Sequence, residues 1–180
     1  MSSWIKALNP LDAPTTEPDA KQKARASAVA LVISAVHGAI GVALLAANME
    51  TMRTAMVEAA AAQSAGQPAE SAAMMQSMVG GAVDAMPWIA GTIVVIQLGL
   101  AFWQWAKPNI VIPIIFLLLT IYGLLTSVLG IATNGLGASE TAASPVWNLV
   151  LGLVVMVLAA LFHASGIRGA AALGKYKVRD

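Results

Sequence analysis

Four side chains in this sequence are candidates for chemistry at a single depth: His37, Gln97, Thr120 and Tyr122, each set in a long apolar stretch. Converting position to depth at about 1.5 Å per helical residue puts His37 about 16 Å inside its stretch. Gln97 lies about 15 Å inside its own, which runs the opposite way. In a hydrocarbon core of about 30 Å the two share the midplane, and Thr120 and Tyr122 fall within about 5 Å of that level. Such a set offers hydrogen bonds to a proton, a small polar solute or a quinone head group, with His37 the member that titrates near neutral pH. The plainer role is interhelical hydrogen bonding, worth about 0.6 kcal/mol per contact in a membrane. The plainer role is favoured, because an ion-coupled carrier uses charged groups and no Asp, Glu, Lys or Arg lies within these stretches.

The methionines are the second candidate. Met49, Met52 and Met56 repeat on one helical face, and Met74, Met75 and Met78 on another. Thioethers are soft ligands that suit Cu(I). They also pack flexibly between alanine-rich helices or form a greasy docking face. No Cys or His accompanies them, so packing or a partner surface is the expectation. A haem held by His37 and His163 fails on depth. The two residues differ in level by about 10 Å, whereas each axial ligand must lie about 2 Å from one iron. His163 is expected at an interface near a helix C-terminus, where partial positive charge is favoured.

Other chemistry is excluded by what the chain lacks. It contains no cysteine, which removes disulfides, thiolate metal sites and thiol redox exchange. No phosphate loop, HExxH or paired intramembrane carboxylate occurs. Ser165-Gly166-Ile167-Arg168-Gly169 is a helix end entering a basic tail rather than a nucleophile elbow, which needs a preceding strand. No enzymatic activity, metal or cofactor is expected. With no basic patch beyond the ends of the chain, neither is a nucleic-acid partner.

The elements that must position these residues follow from hydropathy. Charged residues make up 11% of the chain and hydrophobic ones 58%, against about a quarter charged in soluble domains. Apolar runs at 26–47, 87–106, 109–131 and 146–166 are each long enough, as helices, to cross a bilayer. The first is preceded by a long lead and exceeds the length of a secretory h-region, so it reads as an uncleaved anchor. Its Ala35, Ala39, Ala43 and Ala47 recur every four residues beside Ser34, Gly38 and Gly41, a pattern that permits close helix approach. Gly123, Ser127 and Gly130 give the third run a similar face.

Between and around the spans the sequence is more polar. Residues 1–25 carry Pro10, Pro14 and Pro18 and are expected to be mostly irregular. Trp4, Ile5, Leu8 and Leu11 nonetheless fall at helical spacing that suits a membrane surface. Residues 48–86, broken at Ser64-Ala65-Gly66-Gln67-Pro68, read as two helical extensions forming a hairpin, with Gly80-Gly81 and Pro87 loosening the second. A polar loop is expected at 138–144 and a short basic tail at 168–180.

The fold class is therefore all-α, an integral membrane four-helix bundle with an extended extracytoplasmic helical hairpin between spans one and two. All ten Lys and Arg residues except Arg53 fall on one side of such a bundle, which places both termini in the cytoplasm. Trp88 and Trp147 then mark the outer interface, and Trp103 and Trp105 the inner one. The composition suits a bacterial inner membrane. The expected function is that of a non-enzymatic accessory or scaffold subunit contacting another membrane protein or a second copy of itself. The alternative is a small-solute or proton-linked transporter using the midplane residues. The orientation has a direct test, aided by the absence of native cysteine. Gln67→Cys is expected to react with a membrane-impermeant maleimide on intact cells and Lys175→Cys to react only after lysis, and the reverse pattern refutes the topology.

Overall fold

The computed structural model describes residues 3–135 and 145–177. The loop expected at 138–144 lies outside them, as do residues 178–180 of the basic tail. Among the described residues every regular element is a helix: α1 (Ser3–Leu8), α2 (Glu17–Ala24), α3 (Ala26–Ala47), α4 (Met49–Gln63), α5 (Ala69–Ala106), α6 (Val111–Asn134) and α7 (Val146–Lys177). Four helical rods are long and apolar enough to cross a membrane: α2 with α3, then α5, α6 and α7.

The N-terminal lead is not irregular. Thr16 adopts an extended conformation and its hydroxyl accepts the Asp19 N–H at 3.3 Å, while the Asp19 carboxylate accepts the Thr15 N–H at 3.0 Å. This reciprocal capping starts α2, with Glu17 and Asp19 in the positive first turn. Pro18 occupies that turn, where a missing N–H costs nothing. Pro10 and Pro14 fall in the connection between α1 and α2. Arg25 keeps helical angles (φ −74°, ψ −12°), so α2 passes into α3 almost without interruption.

At its other end α3 stops at Asn48, whose side-chain amide donates to the Leu44 carbonyl at 2.9 Å. After α4 the chain reverses through Gly66, whose φ of +89° is a left-handed value that favours glycine. The helix that follows runs from Ala69 to Ala106 through Gly80, Gly81 and Pro87. Pro87 deprives the Val83 carbonyl of its helical donor. Arg53 of α4 lies over Gly80 and pairs with Asp84 at 3.7 Å. Both partners are half exposed, so the pair adds little stability.

The turn at 107–110 joins α5 to α6. Gln104 is completely buried beneath it. Its amide donates to the Asn109 carbonyl at 3.0 Å and to the Ala24 carbonyl at 3.3 Å, and accepts the Asn109 N–H at 3.3 Å. Asn109 in turn accepts the Ile112 N–H at 3.0 Å. Because Asn109 serves as a cap, α6 begins at Val111 rather than at 109, and Pro108 stays in the turn.

Helix order across the fold is α5, α3, α7, α6. The α3 helix packs on α5 and on α7, α7 packs on α6, and α4 packs on the first part of α5. Although their connection is short, α5 and α6 do not pack closely on each other. One buried stripe of the first rod is Ala20, Ala24, Ser27, Leu31 and Ala35, with Lys23, Ala26, Ala28 and Ala30 buried beside it. Its steps of four, three, four and four residues track the 3.6-residue repeat. Ala39, Ala43 and Ala47 are exposed instead. A strict four-residue spacing turns about 40° per step around the helix and leaves the contact face.

Past residue 166, where the fourth span was expected to end, α7 continues as helix to Lys177 and packs against α2. Leu173 closes over Ala20 and Ala24. Two glycines permit the crossing. A Cβ on Gly169 would stand 2.2 Å from the Ala24 nitrogen and 2.6 Å from the Lys23 carbonyl carbon. One on Gly166 would stand 2.7 Å from the Ser27 Cβ. Backbone cannot yield as a flexible side chain does. Gly169→Val is therefore expected to destabilise the protein by at least about 2 kcal/mol. Gly174→Val, with nothing within 4 Å of its Cβ position, should leave the thermal midpoint near that of the wild type. Tryptophan-fluorescence melting in detergent compares the two.

Candidate functional site

A groove of about 380 Å³ lies between the rods at mid-depth. All four contribute to it: His37 and Ser34 from α3, Gln97 from α5, Phe116 and Thr120 from α6, and Met156 from α7. Of the four residues singled out by depth, three meet here. His37 turns toward α7, its Nε2 3.3 Å from the Asn148 carbonyl oxygen. The ring fits because Gly152 has no side chain; a Cβ there would lie 3.0 Å from His37 Cε1. So α7 supplies a carbonyl and a vacant place, and the Oδ1 of the same Asn148 is buried without a hydrogen-bond partner among the described residues. The Thr120 hydroxyl donates to the Phe116 carbonyl of its own helix at 2.6 Å. Gln97 is half-buried and its amide has no hydrogen-bond partner among the described residues. Tyr122 is not in the groove. It is two residues on from Thr120, about 200° around the helix, and its side chain is 68% exposed on the outer face of α6.

The methionines divide by exposure. Met49, Met52 and Met75 are half-buried, while Met56, Met74 and Met78 are exposed. Among the described residues no group of three or more His, Cys, Asp or Glu side chains is placed to hold a metal.

A second polar set lies at the end where α1, α2 and the C-terminal part of α7 meet. Ser27 Oγ and His163 Nδ1 are 2.7 Å apart, both groups buried. The His163 ring stacks on Phe116 with centroids 5.9 Å apart. Ser165 Oγ donates to the Ala7 carbonyl at 2.5 Å, and the Arg168 guanidinium donates to the Pro10 carbonyl. Lys23, also buried, donates its ammonium to the Asn9 carbonyl. A serine beside a histidine suggests an activated nucleophile. Here the pair is sealed from solvent, and no carboxylate bonds to the ring among the described residues. The pair ties α3 to α7 and positions nothing for attack.

His163 is thus not near a helix end, since α7 continues to Lys177. Its partner Ser27 precedes His37 by ten residues on the same rod, about 15 Å along the axis. The two histidines belong to separate clusters. Ser27, Ser165 and Gln104 were not expected to bond across helices, Ser165 being read only as part of a helix end. The signal for the first two was present: glycines at 166 and 169 beside a serine mark a close helix crossing. Gln104 was masked by the aromatic residues around it.

No protein-family model matches the chain, and neither a curated protein nor a solved structure does.

The two clusters differ in the expected effect of truncation. Ser27→Ala leaves a buried ring nitrogen without its partner and should cost about 1–3 kcal/mol. His37→Ala removes a long bond to a carbonyl that its own helix already engages, and should cost less than about 1 kcal/mol. Unfolding of both variants in graded SDS gives the ranking; a larger loss at His37 would reverse this assignment.

Proposed function

We propose that this chain is a non-enzymatic accessory or scaffold subunit of a bacterial inner membrane, built as a four-helix bundle with both termini cytoplasmic. The observation that carries this reading is the groove left between α5 and α6. The half-buried Gln97 amide faces it without a protein partner. An amide with nothing to bond in hydrocarbon costs at least about 1–3 kcal/mol by protein mutational measures. A helix of a partner chain, or of a second copy, laid in the opening supplies both the missing apolar contact and the hydrogen bond. Interhelical association of this kind relies on close packing and such polar contacts.

Beyond the membrane, α4 and the first part of α5 form the extracytoplasmic hairpin, and Met56, Met74 and Met78 give it an exposed apolar face. Flexible thioether side chains suit a docking surface. The alternative reading, a small-solute or proton-linked carrier, is favoured by the groove's volume and by His37 on its wall. It has no charged group within the spans to couple transport to an ion gradient.

Native electrophoresis of membranes extracted in mild detergent separates the two. The accessory reading expects wild-type protein in a complex larger than one chain and the Gln97→Trp variant, its groove filled, released as a monomer. The carrier reading expects solute flux in reconstituted vesicles that His37→Ala with Gln97→Ala abolishes while assembly and melting persist. Monomeric wild-type protein, or that loss of flux with assembly intact, overturns the accessory reading.

A further inference from the structure

A second groove, of about 370 Å³, lies on the lateral wall between α3 and α5, walled by Val29, Val32, Leu98, Phe102 and Trp105. All its lining side chains are apolar. From Leu98 to Trp105 it extends about 10 Å along the helix axis. Its apolar lining and its length suit one flexible hydrocarbon chain.

Its mouth is built differently. Arg25, at the junction of α2 and α3, donates Nε–H to the Trp105 carbonyl at 3.0 Å. Its guanidinium carbon stands 5.1 Å from the centre of the Trp105 ring. Trp4 stacks on the same ring, centroids 5.7 Å apart and planes 12° from parallel. The guanidinium is thereby fixed in orientation, and its terminal nitrogens have no partner among the described residues. Lys21 lies one turn earlier on α2 and Lys107 two residues beyond Trp105; these two share an adjoining cleft with Glu17. The local balance is positive. A planar guanidinium with unused donors matches a phosphate oxygen pair.

We propose that this groove is a specific site for one anionic phospholipid, its phosphate on Arg25 and one acyl chain between Val32 and Phe102. The site lies in the leaflet on the side of the chain termini and does not depend on what occupies the groove between α5 and α6. Apolar floor and cationic mouth follow each other in the order of a glycerophospholipid's chain and phosphate.

The test uses full-length protein in mild detergent, titrated with dioleoyl phosphatidylglycerol, dioleoyl phosphatidylcholine or inorganic phosphate. Native mass spectrometry counts retained lipid, and tryptophan fluorescence follows melting. One phosphatidylglycerol should be retained, at least about tenfold more tightly than phosphatidylcholine, and should raise the melting midpoint. Arg25→Gln is expected to abolish the preference. Val32→Trp, which fills the groove and leaves Arg25 in place, should abolish retention, and it keeps the test decisive where Arg25→Gln fails to fold. Arg53→Gln, at the opposite end of the fold, should retain lipid as the wild type does. Equal retention of the two lipids, retention by Val32→Trp, or equal stabilisation by inorganic phosphate would each overturn the proposal.

Discussion

The architecture depends on a place where two backbones touch. At Gly169 the α7 helix lies so close to Ala24 that no side chain fits between them, and at Gly166 it meets Ser27. Close approach removes the space for water or lipid and brings donors and acceptors into reach. The Ser27–His163 and Ser165–Ala7 bonds are possible only at that separation. Dispersion between tightly opposed backbones and a few enclosed hydrogen bonds are the forces that hold helices together where the hydrophobic effect is weak. The N-terminal helices are fixed here as well, through Leu173 against Ala20 and Ala24.

Packing is uneven away from that crossing. Where α2 and α3 meet α7 the interior is closed, whereas the opposite side of α3 faces an opening between α5 and α6. One turn of chain, pinned by Gln104, holds α5 and α6 at one end. Beyond it the helices diverge enough to leave His37, Gln97 and Thr120 in a shared recess. The molecule thus combines a rigid end with an open side.

Much of the architecture could be read in the residues. Hydropathy alone placed the four rods, because a run of about 20 apolar residues has few other uses. Equal depth brought His37, Gln97 and Thr120 together; Tyr122 failed because depth carries no information about rotation around the helix. Helical spacing at Trp4, Ile5 and Leu8 hinted at α1, but α2 was missed because three prolines in the first 18 residues look like disorder. Their meaning depends on whether each falls in a first turn or in a loop. The Ser27–His163 contact was missed for another reason. It joins residues 136 apart in sequence, and no local pattern reports the partner of a side chain across a helix crossing.

The same separation bears on biogenesis. The α1 and α2 helices leave the ribosome first, while the glycine face they dock on belongs to α7, which is made after every other described helix. During synthesis Ser27, Lys23 and Ala7 are without their eventual surroundings until that face emerges. Translation order thus places the α2–α7 contact after the synthesis of every other described helix.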